Sequence, residues 1–192
     1  MSTANIVTNW SIDKTQDAWQ LATRLHDGQK YGGTEHGEQI EYINHIGSVV
    51  FEILAAVSVN KDLDPALAIP CALLHDTLED TKLTYEEVLN KFGSAIASGV
   101  LALTKSPEIK EKKEKMLDSL THIKAQPHEV WAVKMADRIA NLYAPPYYWN
   151  DEKKREYVTE ARLIHHELKE SSTYLAQRLE EKIRKYETFI GK

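Results

Sequence analysis

Apolar residues recur at helical spacing along almost the whole chain, and strand signals are weak, because the β-branched residues sit inside longer helical patterns. That pattern confines the fold to helices packed on helices. From Asp13 to about Gln29, Ala18, Leu21, Ala22 and Leu25 share one face with Trp19 beside them, and Ser11 or Asp13 can cap the helix. A second helix is expected from Tyr42 to Val59. A third follows Asp64-Pro65, an N-cap and first-turn proline, and carries Cys71 to Asp76. Thr84-Tyr85-Glu86-Glu87 reads as a capping box that opens a helix to about Lys91, with Gly93 near its end. Further helices are expected at about 94–103, 108–124, 128–143 and 152–188. The glycine-rich stretch 31–41, YGGTEHGEQIE, is expected to be a loop. The stretch 144–150, APPYYWN, is a second break, because Pro145 and Pro146 end whatever precedes them. The reading is an all-α helical bundle, a single domain over 1–192 with its motif-bearing core at about 15–180.

Composition narrows the setting. At 192 residues, 42% hydrophobic and 28% charged, the chain is ordinary for a globular domain with a substantial core. One cysteine, Cys71 in an apolar run, excludes an internal disulfide framework and a cysteine-rich zinc site. The start, MSTANIVTNW, carries no leader pattern, and no apolar run approaches the roughly 20 residues that span a bilayer, so a reducing cytoplasm is expected. A net charge of −5 argues against nucleic-acid binding. A small anionic ligand is still compatible, since a metal and a few lysines reverse a local field. Trp10, Trp19, Trp131 and Trp149 read as core or partly buried anchors.

Residues 73–81 read Leu-Leu-His-Asp-Thr-Leu-Glu-Asp-Thr, which places a histidine and three carboxylates within six positions directly after an apolar run. His75 and Asp76 are adjacent, and adjacent helical residues splay about 100° apart, so they serve one ion best near a helix end or distortion. His45 in Tyr-Ile-Asn-His and Asp137 in VKMADRIANL stand on two other apolar-flanked helices. Two imidazoles and two carboxylates from three helices suit a divalent ion such as Mn²⁺, Fe²⁺ or Zn²⁺ with positions left for water and substrate. On a continuing helix Glu79 shares a face with His75 and Asp76, where a carboxylate that is not a ligand can take a proton from water. Taken singly, each feature has a plainer reading as a surface residue, ion pair or solvated turn. Their combination in this order does not. His165-His166 reads as a solvated helix face, and His122 and His128 have no partners in sequence. Arg24, Lys105, Lys134 and Arg138 are candidates for phosphate contact, and the run Glu152 to Arg155 lies close enough to the Asn141 segment to meet a polyphosphate.

YINH, LLHDTLEDT and VKMADRIANL together resemble successive motifs of the HD-domain hydrolases that remove the 3′-pyrophosphate from guanosine tetra- and pentaphosphate. These are the hydrolase domains of Rel/SpoT proteins and the stand-alone small alarmone hydrolases, of which the latter match better because no synthetase domain follows. The resemblance spans roughly residues 15–180. It implies an HD-type bundle in which His45, His75, Asp76 and Asp137 bind one Mn²⁺. Glu79 and Asp80 would then activate or position the water, Asn141 would contact the nucleoside, and the loop after the first helix would approach the purine.

The chain departs from that family at several points. Ile46 follows His45 where proline is usual, and Ala140 replaces a large residue before Asn141. Gln29-Lys30-Tyr31 stands where a basic Gln-x-Arg stretch is usual. Lys30 and Tyr31 therefore take the place of base contacts, with Tyr31 able to stack on a purine but not to offer a guanidinium. The loop from Gly32 to Glu41 is longer and more polar than usual. Two other functions fit the same residues: an HD phosphohydrolase for another nucleotide, such as an adenosine 3′-pyrophosphate or the 2′-phosphate of NADPH, and a catalytically silent alarmone sensor. The presence of both Glu79 and Asp80 favours an enzyme.

Overall fold

Three helices that meet edge to edge, α2 (Ile43–Val59), α3 (Pro65–Leu74) and α8 (His128–Asn141), form the centre of the computed structural model, which describes residues 10–191. The N-terminal stretch read for a leader pattern lies, but for Trp10, outside the described residues. Around the centre, α1 (Ile12–Leu25) packs on α3, and α5 (Tyr85–Phe92) and α6 (Ser94–Leu103) form a pair against α3 and α8. α7 (Lys112–Lys124) bridges α6, α8 and α9 (Asp151–Leu168), while α10 (Thr173–Glu187) doubles back along α8 and α9. A single helical turn, α4 (Thr77–Asp80), follows α3. The architecture is all-α, as the periodicity requires. No helix among the described residues is long and apolar enough to cross a membrane.

Local chemistry sets the helix starts. Asp64 accepts from the Ala66 amide at 2.8 Å ahead of Pro65, and Thr84 and Glu87 cap each other reciprocally in a capping box. Between α5 and α6 the chain turns through Gly93 at φ +91°, a conformation that side chains rarely adopt. The core is built mainly of apolar side chains, with Val49, Ile53, Cys71, Leu74, Val133, Met135 and Ile139 fully buried. Ile46 is buried here too, and its amide donates to the Tyr42 carbonyl at 3.4 Å, a bond a proline could not make. Replacing the usual proline thus gains a core side chain and leaves the helix start intact.

The structure differs from the sequence reading in several places. The glycine-rich loop is in part a β-hairpin: β1 (Lys30–Gly32) pairs antiparallel with β2 (Gln39–Glu41), Tyr31 opposite Ile40. Three-residue strands are too short to show alternation. α1 ends at Leu25 rather than Gln29, because Gln29 serves the junction instead: its side chain meets His26 Nδ1 at 2.7 Å and donates to the Asp80 carbonyl at 2.9 Å. The helix expected from 108 begins at Lys112, where the Glu111 carboxylate caps it. The long helix expected over 152–188 breaks at a 3-10 turn, Lys169–Ser171, and Ser172 caps the next segment through the Leu175 amide. Trp19 on α1 is 37% exposed.

Candidate metal centre between two cavities

His75 closes α3 and Asp76 opens α4, so the helix axis breaks between the two adjacent residues. The break lets both side chains turn to one point: Asp76 Oδ2 lies 3.0 Å from His75 Nε2 and 3.7 Å from His45 Nε2. His45, from the first turn of α2, sits with its Nε2 at 3.3 Å from that of His75. Asp137, from the middle of α8, brings Oδ1 to 3.4 Å from His45 Nε2. Ligand atoms of His45, His75 and Asp137 all fall within 4.8 Å of one another.

Two imidazole nitrogens and two carboxylate oxygens converging on one point form a donor set for a divalent cation. The surrounding bonds orient the donors toward it. His75 Nδ1 lies 2.8 Å from the Ala72 carbonyl, which fixes the proton there and leaves Nε2 free as a ligand. Asp137 is held by Lys134 Nζ at 3.0 Å and Asn141 Nδ2 at 2.6 Å, and Asp76 accepts from the Tyr42 hydroxyl at 2.5 Å. The donor set, nitrogen and carboxylate oxygen with no thiolate, fits a divalent cation of the Mn²⁺, Fe²⁺ or Zn²⁺ type. Titration follows the same geometry. Burial alone would lower the pKa of His75, but the Asp76 and Asp137 carboxylates hold it up, at about 9. Burial would raise Asp76 and Asp137, yet His75 and Lys134 respectively hold them below the usual carboxylate range.

Glu79 and Asp80 reach the same centre in different states. Glu79 is tied to Lys105, accepting from its amide at 3.0 Å and its ammonium at 3.1 Å. No hydrogen bond to the Asp80 carboxylate is found among the described residues, and burial and then Asp76 raise its pKa. Both line a cavity of about 390 Å³ together with Asp76, Asp137 and several lysines, among them Lys105, Lys134 and Lys153. A second cavity, about 350 Å³, is walled by aromatic rings: Tyr31 from the hairpin, and Tyr143, Tyr148, Trp149 and Tyr157. Tyr42, His45, Asn141 and Tyr157 line both, so the centre sits at the junction.

The substrate-contact candidates divide accordingly. Asn141 stands at the junction and Tyr31 in the aromatic cavity. Lys134 is committed to Asp137. Arg138 lines the basic cavity, but its guanidinium stacks 4.0 Å over Tyr157 and donates to Glu160 at 3.1 Å. Lys30 lies outside both cavities, paired across the hairpin with Glu41 at 2.8 Å. Sequence reasoning missed Tyr42, whose position three residues before His45 was the available signal. It also missed Tyr148 and Tyr157, which only tertiary packing brings in.

The HD domain model matches residues 18–172, most of the chain. This chain belongs to the HD-domain family. Among its relatives, a guanosine-3′,5′-bis(diphosphate) 3′-pyrophosphohydrolase of Danio rerio is 30% identical over 84% of this chain and 87% of that protein. A protein of the same enzymatic name from Aquifex aeolicus is 31% identical over 76% of this chain, which spans only 21% of that longer relative. The solved structure of a metazoan SpoT orthologue superposes with a TM-score of 0.77 at 23% identity, covering 93% of this HD-domain chain and 98% of the other. That likeness confirms the fold.

Proposed function

We propose that this HD-domain protein is a metal-dependent pyrophosphohydrolase that removes the 3′-pyrophosphate from guanosine tetra- or pentaphosphate, acting as one domain on a small purine nucleotide in a reducing cytoplasm. The observation that carries the reading is the junction. A cluster of two histidines and two aspartates lies where an aromatic cavity meets a basic one, which fits a substrate that is a purine at one end and a polyphosphate at the other. The enzymatic names of the Danio rerio and Aquifex aeolicus relatives support it.

His45, His75, Asp76 and Asp137 would hold one cation, for which Mn²⁺ is our assignment. When bound, it supplies Lewis acidity to a phosphoryl oxygen and lowers the pKa of a coordinated water. The protein's own groups do the rest. The Asp80 carboxylate, raised in pKa and without a hydrogen bond among the described residues, takes the proton of the attacking water. Glu79 positions Lys105 at the cavity wall. Water's oxygen bonds to the phosphorus carried by the 3′ oxygen, the bond from that phosphorus to the 3′ oxygen breaks, and the 3′ oxygen leaves as a hydroxyl, the proton taken up by Asp80 being returned to balance it. The products are pyrophosphate and a nucleotide carrying only its 5′ phosphates. Tyr31, Tyr148 and Trp149 offer ring faces to the purine, and Asn141 holds the nucleoside beside the cluster.

The test is turnover of guanosine and adenosine 3′-pyrophosphates by Mn²⁺-loaded protein, reading pyrophosphate against orthophosphate. Release of pyrophosphate from the guanosine substrate is expected. Orthophosphate as the first product, or no turnover of either, would overturn the reading.

A further inference from the structure

Six cations line the basic cavity: Lys105, Lys112, Lys115, Lys134, Arg138 and Lys153. Five are matched by carboxylates. Lys105 pairs with Glu79 at 3.1 Å, Lys134 with Asp137 at 3.0 Å and Arg138 with Glu160 at 3.1 Å. Lys112 and Lys153 share Glu156 at 3.8 and 3.7 Å. The ammonium of Lys115 has neither an ion pair nor a hydrogen bond among the described residues. Its neighbour Met116 is 6% exposed in the core and also lines the cavity, so the backbone beneath Lys115 is held in place. Lys115 is itself half-buried. It lies three residues after Lys112, one turn along the same face of α7. A half-buried lysine with no carboxylate partner among the described residues, on a helix held by the core, lines a cavity that also contains metal-ligand candidates, a setting suited to a phosphate.

We propose that Lys115 is a further catalytic residue, binding the pyrophosphoryl group as it passes from the 3′ oxygen to water. This rests on the pyrophosphohydrolase reading above. Each of the other cations has a carboxylate partner, shared in the case of Lys112 and Lys153, whereas Lys115 has none among the described residues and is left to meet the phosphoryl oxygens as a point charge. It forms no covalent bond and gains or loses no proton. Its ammonium neutralises charge on the group that ends as pyrophosphate, and it does not touch the nucleoside.

The experiment is binding of inorganic pyrophosphate, and separately of GDP, to Mn²⁺-loaded protein, alongside kcat and KM. The variants are Lys115→Gln, Lys115→Arg and, as an equal change of charge outside the cavity lining, Lys113→Gln. Lys115→Gln should weaken pyrophosphate binding by at least about tenfold, the loss of one charge-assisted hydrogen bond, with GDP affinity within about twofold of wild type. Lys115→Arg should recover most of the pyrophosphate affinity, and Lys113→Gln should match wild type. If wild type binds pyrophosphate and turns over substrate while Lys115→Gln does both equally well, the assignment of Lys115 fails alone. An equal loss in Lys113→Gln would also overturn it, because general charge would then account for the effect. If wild type neither binds pyrophosphate nor releases it from substrate, the pyrophosphohydrolase reading fails and takes this assignment with it.

Discussion

The Tyr42 hydroxyl donates to Asp76 Oδ2 at 2.5 Å, joining the start of α2 to the break between α3 and α4. Burial, then the Asp76 carboxylate, pushes the phenol pKa well up, so the hydroxyl stays protonated and donating at any physiological pH. Tyr42 thereby orients a carboxylate that has no side-chain cap bond of its own to its helix. Tyr42→Phe keeps the ring and removes the bond. Metal affinity is expected to fall by roughly 10- to 100-fold, as for other losses of a ligand-orienting partner. Metal titration with thermal unfolding alongside checks this. A variant with unchanged metal affinity would show that Asp76 is oriented by the helix break alone.

Metal binding should release a proton. With its pKa held at about 9, His75 is protonated at neutral pH in the metal-free protein, and a cation must displace that proton to use Nε2. Affinity is therefore expected to rise about tenfold per pH unit between about pH 7 and 9. The stability of the metal-free protein runs the other way. A raised histidine pKa contributes stability that is complete below the unfolded value of about 6.5 and is lost as pH rises through about 9. Calorimetric titration in two buffers of different ionisation enthalpy counts the proton. Zero released would contradict the account.

Glu79 and Asp80 should separate. Asp80→Asn is expected to lower kcat by roughly 100-fold or more with metal content unchanged, since it removes the proposed base. Glu79→Gln retains an acceptor for the Lys105 amide and should cost less in kcat, with a larger share of its effect in KM. Steady-state kinetics on the two variants decides between them. The reverse order of effects would exchange their roles.

The aromatic cavity can be tested from the hairpin. A Cβ on Gly32 would meet Tyr148 Cε1 at 2.5 Å, so Gly32→Ala must displace that ring. KM is expected to rise several-fold while metal content and pyrophosphate affinity hold, since the cluster and basic cavity are untouched. An unchanged KM would remove Tyr148 from nucleoside binding.

The parts of this structure that were legible in the sequence are those written by local chemistry. Thr84 and Glu87 announce a helix start, Asp64-Pro65 another, and the apolar flanks of His75 and Asp137 place both on elements facing the core. The donor residues of the cluster could be named because their types are rare in such settings. What stayed hidden depends on tertiary partners. The break between His75 and Asp76 is invisible to periodicity, since both residues and their neighbours suit a continuing helix. The same holds at Lys169–Ser171, where Ser172 offered the one cue to a new helix start. Lys30, adjacent to Tyr31, faces away because strand neighbours point to opposite sides, a consequence of a hairpin whose strands are three residues long. Lys115 is chemically like any surface lysine until the other cations beside it are seen to be paired.

The proposed pyrophosphohydrolase chemistry requires one cation held by side chains from three separate segments. Elemental analysis of wild type, His75→Ala and Asp137→Ala, run beside pyrophosphate release from guanosine tetraphosphate, tests it most directly. The account predicts about one divalent ion per wild-type chain, and loss of ion and activity together in both variants that still fold cooperatively. Full metal retention in both variants, or undiminished turnover in either once stripped of metal, would contradict it.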